Sequence, residues 1–173
     1  MLNSPQWQGP AAGFVAPILD QIAWGVSGGH GSFLTFEFGA PSLVVHEHPS
    51  RSRRTAYVRG AWSLWIYCCH WRITLAGEQL AWSEDDTATI DRAAPYLSGQ
   101  RLDAIAVNPS DGHTYFRFDF GGALETWPYS DDATEEQWSI STDAVVLRIN
   151  AASRYEIGPV DAPLSGDGWL PIV

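Results

Sequence analysis

The chain has 173 residues, 45% of them hydrophobic and 13% aromatic, which is long enough to bury roughly 70% of the surface its unfolded form exposes. All ten basic residues are arginine, against twenty acidic ones, for a formal net charge of −10. A field of that sign repels phosphate backbones and anionic headgroups, so it excludes nucleic acid and membrane surfaces as partners and leaves a basic protein as the natural counterpart.

In chain order, residues 1–16 show no periodicity and read as an irregular arm. Residues 18–26 read as a strand, 27–31 as a turn and 32–38 as a second strand, together a hairpin. In the second strand Leu34, Phe36 and Phe38 share one face, with Phe33, Thr35 and Glu37 on the other. Residues 42–47 and 55–59 are short strands around a polar loop that carries Arg51, Arg53 and Arg54. Residues 62–75 are apolar on both faces, as a central strand would be. Cys68 and Cys69 fall inside this stretch, pointing to opposite faces as reduced fillers.

Residues 83–87 then offer N-cap candidates for a helix over about 86–97, with Ile90 and Leu97 at helical spacing and Gly99 as its stop. A strand near 115–120 places Phe116, Phe118 and Phe120 on one buried face. Residues 138–149 form strands broken by a turn at 141–143. The tail beyond Tyr155 lacks periodicity and packs through Trp169, Leu170 and Ile172. No basic segment precedes Arg51, and no run approaches the ~20 apolar residues of a membrane helix, so the expected compartment is the cytoplasm.

Three short matches recur in one order. Leu19-Asp20-x-Ile22-Ala23 returns as Leu102-Asp103-x-Ile105-Ala106, and Phe36-Glu37-Phe38-Gly39 as Phe118-Asp119-Phe120-Gly121. Trp62-Ser63-Leu64 with Arg72-Ile73 returns as Trp138-Ser139-Ile140 with Arg148-Ile149. They predict two related units, about 17–77 and 100–153, in a single domain over 1–173. The expected fold is mainly β, an antiparallel sandwich or partly open barrel with one crossover helix.

No motif names a reaction, and no cofactor or metal is expected. Glu37 and Asp119, on matching strands, could form an acid and base pair, although a strand's polar face ordinarily carries such charges. His46-Glu47-His48 with His70 or Cys69 does not fit a zinc spacing. The loops after Gly39 and Gly121 differ in sign: the first carries Arg51, Arg53, Arg54 and Arg59, the second Asp131, Asp132, Glu135 and Glu136. The second loop, with Glu84, Asp85 and Asp86, is the expected docking surface for a basic protein. The alternative is a small-ligand cavity or active site between the two units, lined by Trp62, Trp65, Tyr67 and Trp71. An exposed edge strand would also allow a homodimer.

The segments His30-Gly31-Ser32-Phe33-Leu34-Thr35-Phe36-Glu37-Phe38-Gly39, Leu64-Trp65-Ile66-Tyr67-Cys68-Cys69-His70-Trp71 and Phe116-Arg117-Phe118-Asp119-Phe120-Gly121-Gly122 resemble those of small bacterial proteins of unknown function. The resemblance spans about residues 18–155 and implies no activity and no site. Small acidic bacterial proteins of this kind are often immunity partners of secreted toxins, which makes an immunity-type inhibitor the expected function by analogy of class.

Overall fold

The computed structural model describes residues 7–129, 131–163 and 166–172. Over them the chain is mainly β and antiparallel. In chain order the strands are β1 (Ala23–Gly28), β2 (Leu34–Phe38), β3 (Ser42–His48), β4 (Arg53–Arg59), β5 (Trp62–Ile66), β6 (His70–Leu75) and β7 (Glu78–Trp82). After a helix come β8 (Leu102–Val107), β9 (Thr114–Phe118), β10 (Gly122–Trp127), β11 (Glu136–Ser141), β12 (Val145–Asn150), β13 (Arg154–Pro159) and β14 (Leu170–Pro171). Sheet I has the order β1-β2-β5-β11-β12-β13-β14, sheet II the order β7-β6-β10-β9-β8, and β3-β4 forms a separate ribbon.

Sheets I and II face each other as a sandwich, as expected from the alternation of large apolar and polar residues. In β2, Leu34, Phe36 and Phe38 are fully buried while Thr35 and Glu37 turn outward; β9 does the same with Thr114, Phe116 and Phe118. Phe36 of one sheet stacks on Phe118 of the other, with ring centroids 6.2 Å apart. Trp138 meets Phe116 edge-on at 5.2 Å, and its Nε1 donates to Thr114 Oγ1 at 3.0 Å. One buried cluster extends from Ala11 to Ile172.

The expected central strand over 62–75 is two strands in different sheets. At Tyr67–Cys69 the chain turns a corner out of sheet I into sheet II, held by Tyr67 N donating to Gln137 O at 2.7 Å and Cys69 N to Tyr67 O at 2.8 Å. Cys68 and Cys69 therefore sit at a corner, both as free thiols, with Cys69 buried. The reverse crossing, from β10 in sheet II to β11 in sheet I, follows Trp127. The same series of moves is made twice. A hairpin (β1-β2, then β8-β9) takes a third strand beside it (β5, then β10), and the chain changes sheet and adds two more (β6-β7, then β11-β12).

The matched segments take the following places in these pairings. Trp62-Ser63-Leu64 and Trp138-Ser139-Ile140 lie on adjacent antiparallel neighbours, with Leu64 opposite Ile140. The places that correspond in the topology are Trp71 and Trp138, the first facing Thr126 and the second Ile66 across equivalent seams. Leu19–Ala23 meets the start of β8 antiparallel, through the Ile22–Arg101 bridge and Asp20 N donating to Leu102 O at 2.8 Å. Phe120, expected in the core, is 75% exposed. β9 ends at Phe118, and Asp119 then ties back to Arg101 through two backbone-directed bonds, which leaves Phe120 at the apex of the turn.

Three further expectations change. The N-terminal arm contains helix α1 (Gly9–Val15), begun by Pro10 and burying Ala11 and Val15; residues 1–6 lie outside the described set. The segment 18–22 is not strand, since Ala16–Ile18 is a 3-10 turn and pairing starts at the Ile22 bridge. The tail adds β13 and β14, where Ile172 is buried and Leu170 exposed. The helix is as expected: α2 (Thr87–Ala93) is capped by Asp86, whose side chain accepts from Thr89 N at 2.7 Å, and a 3-10 turn carries it to Leu97.

Trp71→Ala and Trp138→Ala are each expected to cost about 3–5 kcal/mol in urea denaturation, whereas Phe120→Ala stays within about 0.5 kcal/mol. A tolerated Trp71→Ala, or a costly Phe120→Ala, would contradict this assignment of inner and outer positions.

Candidate functional site

Between β2 and β5 the chain departs as the β3-β4 ribbon and returns through Gly60, where a Cβ would collide with the Phe38 carbonyl. The ribbon turns Val44, His46 and Tyr57 toward the outer face of sheet I, enclosing a groove of about 960 Å³. Its floor comes from the outward positions of four strands: Glu37, then Ser63 and Trp65, then Ser139 and Ser141, then Arg148. The β-pleat dictates this, because the alternate positions Phe36, Leu64, Ile140 and Leu147 are all core.

Each end of the groove holds an arginine and a carboxylate. At one end Glu37 Oε2 accepts from Gly60 N at 2.8 Å and from Ser63 Oγ at 2.7 Å. Arg59 donates to Ser63 Oγ at 3.1 Å, Ser141 Oγ at 2.8 Å and Thr142 O at 2.7 Å. At the other end Arg148 Nε stands 3.6 Å from Glu136, with side chains only 12% and 19% exposed. Burial pushes the Glu136 carboxyl up, against the pull of Arg148. Burial, with the nearby Glu136 charge, pushes the Tyr67 hydroxyl up to about 12. Trp65 lies between the two ends, opposite Ser139 on one side and Thr35 on the other, 43% exposed and 5.6 Å from the Tyr67 ring.

Glu37 and Glu136 cannot cooperate in acid-base chemistry. Two strand spacings and about four residues of rise put their backbones ~16 Å apart, and Gly60 and Ser63 hold the Glu37 carboxylate at its own end, outside the ~5–9.5 Å that paired catalytic carboxyls span. Glu37 and Asp119, paired in the sequence reading, are also apart: Glu37 faces the groove on sheet I, and Asp119 accepts from Arg101 N at the turn after β9. His46 bonds Tyr57 Oη and His48 bonds Thr55 Oγ1 on the ribbon, while His70 belongs to sheet II. No group of three metal-ligating side chains occurs among the described residues.

Of the four aromatic residues expected around a cavity, Trp62, Trp65 and Tyr67 line the groove, on the outer face of sheet I and not between two units. Trp71 is fully buried in the filled space between the sheets. Arg59, expected in an exposed basic loop, points into the groove; Arg51, Arg53 and Arg54 stay exposed at the ribbon tip, with Arg54 on Glu47 at 2.9 Å. Arg148, Ser139 and Ser141 were not anticipated. The signal was the small hydroxyl at every second place in Trp138-Ser139-Ile140-Ser141.

The expected acidic surface is divided. Glu136 is a groove residue on β11 and not part of an exposed loop. Asp86 is spent on the α2 cap, and Asp85 accepts from Trp82 N at 2.9 Å. Asp132 accepts from Thr134 N and Oγ1, which holds its carboxyl below its ordinary range. Asp131 and Asp132 share a hollow of about 420 Å³ with Asp111. Glu135 lies beside Cys68 and Glu84 3.6 Å from His70, so these loops meet at one end of the sandwich.

That end borders a file of rings on the outer face of sheet II. Trp82, His70, Trp127 and His113 follow one another at centroid distances of 6.4, 5.7 and 5.7 Å. Tyr129 meets His70 edge-on at 4.6 Å, and Tyr115 lies 5.5 Å from His113.

Comparison with protein-family models, curated proteins and solved structures returns no match. No helix among the described residues is long and apolar enough to cross a membrane.

Tyr67 gives the groove a measurable signature. The unfolded chain ionises this tyrosine near its ordinary value of 10.0 and the folded chain near 12. The stabilisation from keeping it neutral is therefore complete below pH 10 and lost as the pH rises through about 12. In melting temperature against pH, wild type should fall more steeply than Tyr67→Phe over that window. Parallel curves would place Tyr67 in water.

Proposed function

We propose that this chain is a non-catalytic binding protein whose groove on sheet I holds an elongated, neutral, polyhydroxylated ligand of the oligosaccharide class. The observation that carries this reading is the near-cancellation of charge around Trp65. Glu37, Arg59, Glu136 and Arg148 sum to zero, Asp143 adds one negative charge to the lining, and Arg59 donates to protein oxygens. What the groove offers a ligand is an aromatic platform, serine hydroxyls held in place by charged neighbours, and length. An aromatic wall with a few oriented polar groups suits a neutral ligand that donates and accepts along its whole extent. Cys68 and Cys69, both free, fit a reducing compartment, so its place of work in this reading is the cytoplasm.

A different observation favours a second activity for the same molecule. Loops after β7, β8 and β10 bring Glu84, Asp111, Asp131, Asp132 and Glu135 to one end. Through them the chain would hold a basic protein, as an immunity-type inhibitor holds a toxin, in a salt-sensitive complex. The repeated order of strands is read here as two copies of one unit, with Trp71 and Trp138 as counterparts.

Titration calorimetry with short linear glucans, mannans and chito-oligosaccharides tests the groove. One series should bind, and Trp65→Ala should weaken it by about tenfold, the loss of ~1.4 kcal/mol expected when a stacking platform is removed. Absence of binding in every series, or full binding by Trp65→Ala, would remove the proposal.

A further inference from the structure

A solvated antiparallel face normally presents charges and small polar groups, yet at one end of sheet II four neighbouring strands each present a ring. Trp82 on β7, His70 on β6, Trp127 on β10 and His113 just before β9 form one row across the strands, Trp82 reaching His70 diagonally from its place opposite Arg72, with Tyr129 against His70. The pairings make the row continuous, since His70 lies opposite Trp127. Trp82 and Tyr129 remain 36% and 37% exposed, so ring faces and edges are open to a partner.

The charges around the row select that partner. The two arginines on the same face are each matched by an acid, Arg72 by Glu125 and Arg117 by Asp103, so neither repels a cation. Glu84, Asp111, Asp131 and Glu135 border the row, and the whole chain carries −10. Nucleobases would also stack on rings, but they arrive with phosphates that this field repels. A guanidinium fits both features, because its flat cation lies on an aromatic face while its charge is drawn by the acidic rim. A lysine ammonium is drawn by the rim and by the ring faces but cannot stack flat on them, so it gains less.

We infer that the ring row on sheet II is the docking platform for an arginine-rich segment of a protein partner. The inference rests on the basic-partner reading above and adds to it a surface, a residue type and a division of labour. The acids steer the encounter, so they set the association rate and its salt dependence; the rings hold the bound segment, so they set dissociation.

The test uses the intact protein with an oligo-arginine peptide and an oligo-lysine peptide of equal length, followed by surface resonance across a salt series. The expected result is tighter binding of oligo-arginine. Trp127→Ala and Trp82→Ala should each speed its dissociation about threefold or more with an unchanged salt slope, in variants whose circular dichroism matches wild type. Glu84→Gln with Asp131→Asn should instead flatten the salt slope and slow association. Trp82→Ala sits on an edge strand, and Trp127→Phe, which keeps a ring, should recover most of the affinity; together they separate stacking from a folding defect. Equal affinity for the two peptides, or ring variants that bind like wild type, would overturn the platform. If the acid variants alone lose binding, the basic-partner reading survives without it. If neither peptide binds wild type, both fall.

Discussion

The two places at which the chain changes sheet, at Tyr67–Cys69 and from β10 to β11, decide how everything else is arranged. Because of them β5 of the first half pairs with β11 of the second in sheet I, and β6 pairs with β10 in sheet II. Neither half makes a whole sheet by itself: β1-β2-β5 and β6-β7 are each continued by strands of the second half. The inner faces are interdependent as well: Trp138 packs on Phe116 across the sandwich, and Phe36 on Phe118. The largest buried side chains, Trp71 and Trp138, lie just beyond the two crossings, where a small or polar residue would leave a large void.

Interleaving also builds the two outer surfaces. The groove floor takes Glu37 and Trp65 from the first half, Ser139 and Arg148 from the second, and only the seam between β5 and β11 brings them together. The ring row takes Trp82 and His70 from the first half, Trp127 and His113 from the second, across the seam between β6 and β10. The surfaces differ in kind: one is concave, roofed by the ribbon and close to neutral, the other aromatic and rimmed with acids. Two faces of one sandwich can therefore serve ligands of unlike chemistry without sharing a residue.

Hairpins and the helix were legible because their signals are local. Alternation in Leu34–Phe38 gives the buried face directly, and Asp86 followed by Ile90 marks the helix start. The corner at Tyr67–Cys69 was not legible, since an apolar run large on both faces reads as one buried strand until something shows that it bends. That corner also explains why Trp71 was misplaced. In a continuous strand Trp65, Tyr67, Cys69 and Trp71 would share a face, but the bend resets the alternation, and Trp71 turns inward while Trp65 and Tyr67 stay out. Phe120 was misread for a similar reason, because nothing local shows that the strand stops at Phe118. Arg59, Arg148 and Glu136 could not be grouped from the sequence, as the pairing that joins them is non-local; the ring row is likewise spread from His70 to Tyr129.

Native-state hydrogen exchange tests the interleaved architecture most directly. If each sheet needs both halves, the slowest amides of β5, β6, β10 and β11 should share one opening free energy, equal to that of global unfolding. Opening of β1–β7 at clearly lower free energy, with β8–β12 still protected, would contradict the account.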